Sequence, residues 1–279
     1  DSQARFSIDP RRVYATGYSG GARAACVLAM VRKGEVAGVI GHGGGFPFQW
    51  PATKDVTFAF FGLAGSRDFN FPELLTLDLK LEELGWQHHF ESLDGEHEWA
   101  PPAEAMLSLG WMELLAMQAG TTARRETTIA ELWADFDARA RRMLAAGDPV
   151  AAVRERAAML RSFAGLQSDA VLAETRQTLA TVEAAPETAR ERQAQQRVED
   201  EQAAYLVRAQ ARLQQILARD PSEFDPVVAA RELEIARVTK QTRGASSEYE
   251  RLAAERSLAT LFGQTIFYMP TALIERQDF

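Results

Sequence analysis

One cysteine, four histidines and no apolar run near the roughly 18 residues that cross a bilayer set the outer limits of this 279-residue chain. With Cys26 alone, no disulfide framework can form within the chain, and Cys26 itself reads as a small buried apolar residue. No basic run is present, and the formal net charge is −8, with a sequence pI near 5.2. That acidic balance argues against a nucleic-acid partner. The first residue is Asp1, not methionine, and no signal sequence follows it. The chain is therefore expected to be a processed or excised product, with periplasmic, secreted and cytoplasmic locations all open. What is abundant is apolar surface: 46% of residues are hydrophobic, enough for a real core.

Glycine becomes scarce after residue 119. Before that point lie 14 of the 19 glycines, four of the five tryptophans and all four histidines. Beyond it Ala, Arg, Glu, Gln and Leu dominate. The composition predicts an α/β segment over residues 1–119 that carries the chemistry, and an all-α domain over residues 120–279.

The first segment is organised around residues 12–23. A short β-branched and aromatic run, Val13-Tyr14-Ala15-Thr16, reads as a buried strand. A G-x-S-x-G turn follows at Gly17, Ser19 and Gly21, then a helix over residues 22–32. Strand, tight turn and helix make a nucleophile elbow, which lifts a serine hydroxyl clear of the sheet. The N–H of Gly20, beside the helix N-terminus, can then stabilise an oxyanion. An ordinary glycine-rich strand–helix turn is the alternative.

Further strands are expected at residues 36–40 and 56–62. The first ends in Gly41-His42-Gly43-Gly44-Gly45, similar to a lipase oxyanion motif but on the wrong side of the nucleophile in chain order, so His42 reads as a strand-end residue near the site. After the second strand, Asp68 sits in a loop before a helix over residues 73–84, the position of a triad acid. Asp55 and Asp94 are its rivals, with Asp55 before its strand. Residues 86–93 read as another strand, with His88 and His89 structural, and His97 lies in the loop beyond it. The order Ser19, Asp68, His97 is nucleophile, acid, base. Tyr18, Asn70 and Trp99 are expected nearby.

These residues carry a resemblance. The lead-in Ile8-Asp9-Pro10-Arg11-Arg12-Val13-Tyr14, the Gly17–Gly21 elbow and Gly95-Glu96-His97-Glu98-Trp99 resemble the poly(3-hydroxybutyrate) depolymerase and feruloyl esterase group of α/β-hydrolases, over about residues 5–118. The resemblance implies a serine esterase working through an acyl-enzyme, with small or polymeric ester substrates and neither metal nor organic cofactor. It also implies about four strands before the elbow, of which only some ten residues are present. The expected fold is thus the C-terminal half of a hydrolase sheet followed by the helical domain. Residues upstream of Asp1, or else another chain, are expected to complete the sheet and to supply a second oxyanion donor.

In residues 120–279, Ile129, Leu132, Trp133, Phe136, Ala140, Met143 and Leu144 form one helical stripe. Paired helices of about 15 residues broken at Gly147-Asp148-Pro149, residues 165–168, Pro186, Asp220-Pro221 and Asp225-Pro226 suggest a tetratricopeptide-like array, with one long polar helix over 188–218 and, at the end, helices over 227–242 and 247–262 and a close at 267–270. No chemical constellation is legible there. Such an array suits a protein partner, and a non-enzymatic scaffold with a degenerate hydrolase segment is the competing reading.

Overall fold

Among the described residues, runs of aromatic, aliphatic and small residues build four strands: β1 (Tyr14–Tyr18), β2 (Gly38–His42), β3 (Ala59–Gly65) and β4 (His88–Leu93). They pair in that order, all parallel, so that Tyr18 faces His42, His42 faces Leu63 and Leu63 faces Glu91. A parallel sheet is covered on both faces, which explains why β2 and β3 are almost continuously buried instead of alternating. The computed structural model describes residues 5–56, 58–220, 222 and 224–276, and for 266–276 the backbone alone. Among the described residues β1 has one strand neighbour, β2.

Among the described residues ten helices accompany the sheet: α1 (Gly20–Val31), α2 (Phe71–Leu84), α3 (Pro102–Gln118), α4 (Glu126–Ala145), α5 (Pro149–Ser162), α6 (Asp169–Ala184), α7 (Pro186–Leu217), α8 (Pro226–Glu232), α9 (Ile235–Gly244) and α10 (Glu248–Arg276). Their starts follow local chemistry. Asp148 caps α5 by accepting the Ala151 N–H with Pro149 in the first turn, and Asp225 caps α8 through Val227 and Val228.

The packing divides the chain into two compact units. One comprises Asp1–Gly65, Pro72–Leu93 and Glu98–Arg192, and the other Ser66–Phe71, Asp94–His97 and Gln193–Phe279. The change in composition at 119–120 is therefore not where the packing divides. Ile129, Leu132 and Phe136 of α4 and Met159 of α5, with Phe163 just beyond it, share one core with Trp111 of α3 and with Ile40, Phe61 and Leu63 of the sheet. Trp111 is fully buried, and its Nε1–H donates to Ser162 Oγ at 2.8 Å. Burying each such side chain contributes roughly 1.5–3 kcal/mol. The stripe on α4 is thus the cover of the sheet.

The second unit has its own core, with Tyr205, Leu213 and Ile216 of α7 against Val238 of α9 and Leu261 of α10. Two expectations fail here. The helix expected over 227–242 is broken, because Glu234 takes a left-handed conformation (φ 56°), and the break leaves the Leu233 carbonyl to accept the Tyr205 hydroxyl at 2.8 Å. The last helix runs on through 267–270 to Arg276. Helices of 20, 14, 16, 32, 7, 10 and 29 residues do not keep the equal pairs expected of a regular array.

Cys26 lies on the buried face of α1 with no exposed surface, and burial pushes its thiol up to about 12. The thiolate is the reactive form. Native protein is therefore expected to react with a thiol reagent such as dithionitrobenzoate at pH 8 only as fast as it opens. Immediate stoichiometric reaction would place Cys26 elsewhere.

Candidate active site

The turn between β1 and α1 is built by close backbone approach. A Cβ on Gly17 would lie 2.2 Å from the Gly21 carbonyl carbon and 2.6 Å from the Ala22 nitrogen, so only glycine fits there. Ser19 is held at φ 52°, ψ −116° and is one of two non-glycine residues with positive φ among the described residues. Backbone bonds hold it from both sides. Its N–H donates to the His42 carbonyl at 2.7 Å, and its own carbonyl accepts the N–H groups of Ala22 and Arg23. Its side chain makes no capping bond to the helix. Gly20 opens α1, where the first N–H groups lie outside the helical ladder and the helix presents its positive end.

The loops after β3 and β4 bring Asp68 and His97 together. Asp68 is fully buried, and both its carboxylate oxygens lie 3.0 Å from His97 Nδ1. A carboxylate can only accept, so Nδ1 carries the proton of this pair, and in the neutral imidazole Nε2 is then the acceptor. The Asn70 N–H also donates to Asp68 Oδ1, at 2.7 Å. The Phe69 ring packs on the imidazole, centroids 4.2 Å apart, and the Arg67 N–H donates to the Gly95 carbonyl, tying the two loops to each other. Neither rival aspartate reaches a histidine: Asp94 is exposed and pairs with Arg67, and Asp55 is exposed.

His42 closes β2, buried, and burial holds its imidazole below the usual histidine range. Its Nδ1 accepts the Ala100 N–H at 3.3 Å, and its ring lies 4.7 Å from that of Trp99, which also meets the Tyr18 ring at 5.5 Å. Hence Ser19, Gly20, Tyr18, His42 and Trp99 belong to one unit, and Asp68, Asn70 and His97 to the other.

Sequence reasoning missed Arg256. It sits on α10, 1% exposed, where its guanidinium donates to the Ser66 carbonyl at 3.0 Å and lies 4.7 Å from the Phe71 ring centroid. It thereby grips both ends of the segment that carries Asp68. Burial lowers its pKa from the usual arginine value. The signal was there: Arg256 falls in the stripe of Ala253, Ala254 and Leu261, where a charge is out of place.

No family model, curated protein or solved structure matches this chain. Among the described residues no helix is long and apolar enough to cross a membrane.

Proposed function

We propose that the chain carries the nucleophile, base and orienting acid of a serine hydrolase that cleaves carboxylic esters. The observation that carries this reading is the backbone of Ser19. A residue with a side chain held at positive φ costs on the order of 1–3 kcal/mol, and such strain collects at functional sites. Here it falls on the serine of a G-x-S-x-G turn after a parallel strand. The pairing of buried Asp68 with His97 supports the reading, since it puts the proton on Nδ1 as a general base needs.

In this mechanism Ser19 Oγ attacks the ester carbonyl carbon while its proton passes to His97 Nε2. Asp68 accepts the Nδ1–H throughout and stabilises the imidazolium. The Gly20 N–H donates to the oxyanion. The tetrahedral intermediate collapses, the alcohol leaves with the proton from Nε2, and the acyl group stays on Ser19. Water then attacks the acyl-enzyme, giving its proton to His97, and the acid leaves as Ser19 regains its hydrogen. The mechanism requires His97 Nε2 within hydrogen-bond reach of the Ser19 hydroxyl.

The finer fold assignment, the later half of an α/β-hydrolase sheet of the polyester depolymerase and feruloyl esterase kind, belongs to the same proposal. An alkyl fluorophosphonate tests it, because only an activated serine is phosphonylated quickly. One adduct on Ser19, absent from heat-unfolded protein and from Ser19→Ala, is expected. No adduct, or one on another serine, would leave the scaffold reading standing.

A further inference from the structure

A second constellation lies in the core of the first unit, outside the proposed triad. His89 and Glu91 of β4 and Glu155 of α5 are each at most 3% exposed. His89 Nε2 stands 3.6 Å from Glu91 Oε2 and 3.7 Å from Glu155 Oε2, and one donor atom from each of the three residues lies within 4.8 Å of the others. Those separations are too long for hydrogen bonds. Neither ring nitrogen of His89, nor Glu91 Oε2, nor Glu155 Oε1, has a hydrogen-bond partner among the described residues. Unpartnered polar atoms at such depth are costly and call for an explanation.

Arg139 of α4 answers only part of the charge. Its guanidinium pairs with Glu91 Oε1, and its Nε lies 3.6 Å from Glu155 Oε1. Glu91 Oε2 and Glu155 Oε2 both lie on the imidazole side, and of these Glu91 Oε2 has no hydrogen-bond partner among the described residues. With the proton on Nδ1, the Nε2 lone pair and two carboxylates cannot satisfy each other, whereas one cation can serve all three. Metal–donor bonds of about 2.1 Å put the donors of a tetrahedral ion roughly 3.4 Å apart, close to the spacing here. A cavity of about 240 Å³, lined by His89 and Glu155 together with Asp78, Ser92, Met143 and Arg154, reaches the cluster and gives an ion and its water a way in.

The geometry points to a divalent transition-metal site formed by His89, Glu91 and Glu155, with Zn²⁺ as the cation of choice. One nitrogen and two carboxylate oxygens suit zinc, and the imidazole disfavours Mg²⁺ and Ca²⁺. Arg139 orients the carboxylates from behind, and water from the cavity takes the fourth position. The ion ties β4 to α5 and so stabilises the unit whether or not Ser19 is a nucleophile.

The test uses untagged chain freed of metal with a chelator and titrated calorimetrically with zinc chloride, with magnesium chloride as the control. One zinc per chain, a melting temperature raised by about 5–10 °C at saturation, and affinity at least 10-fold weaker in His89→Gln and Glu155→Gln are expected. Should those variants fail to fold, ¹⁵N-edited histidine spectra of the wild-type chain decide the matter: zinc must move the His89 Nε2 resonance. No binding by the wild-type chain, zinc affinity unchanged in His89→Gln, or an unmoved His89 Nε2 resonance overturns the proposal.

Discussion

Replacing Ser19 by alanine is expected to lower the turnover of a short-chain p-nitrophenyl ester by a factor on the order of 10⁴–10⁶. The mechanism has one nucleophilic atom, and the Asp68–His97 pair has nothing to activate without it. His97→Ala should cost about as much, and the Ser19→Ala/His97→Ala double variant little more, because the members of a triad act as a unit. Asp68→Asn keeps the shape but removes the carboxylate that fixes Nδ1–H, and should cost roughly 10⁴-fold. Stability should hardly move in Ser19→Ala, since the side chain is half-buried and caps nothing. Near-normal turnover in Ser19→Ala would end the esterase reading.

Phe163→Ala is expected to destabilise the sheet unit by about 3–5 kcal/mol, a fall in melting temperature of roughly 6–20 °C. Phe163 has no exposed surface and meets Trp133 and Phe136 edge to face, at 5.0 and 6.0 Å between centroids. These rings share a core with Ile40 and Phe61 of the strands, so the cavity left by Phe163 is shared as well. Pulsed labelling of Cys26, which is buried on α1, reads the opening of the sheet directly. Leu213→Ala, in the core of the other unit, provides the contrast. If Phe163→Ala left the Cys26 transition where it was, residues 121–192 would fold independently and the division at 119–120 would be restored.

The parts legible in the sequence were those with local causes. Hydrophobic runs and glycine turns marked all four strands, and the chain order of Ser19, Asp68 and His97 singled out the histidine–aspartate pair that lies within 3.0 Å. The boundary was not legible, because glycine and tryptophan thin out at 119 while the apolar stripe of α4 still faces the sheet. A stripe says that a face is covered and not by what. The break at Glu234 was hidden for a similar reason: the Leu233 carbonyl that it leaves open is taken up by a hydroxyl 28 residues away, on Tyr205. Four charged or titratable residues from β4, α4 and α5 meet only in the folded chain, so the cluster at His89 was invisible, although Glu155 and Arg156 sit among Ala152, Val153 and Met159 on a face that must be buried.

The backbone at Ser19 has an evolutionary corollary. Glycine would occupy φ 52° with far less strain than any residue carrying a Cβ. At that position, then, the most comfortable amino acid is not the one present. A lineage drifting toward stability alone has an easy substitution in reach there, one that would delete the hydroxyl in the same step. If the proposed nucleophile is Ser19, then Ser19→Gly should relieve the strain of that turn and remove the reacting hydroxyl together.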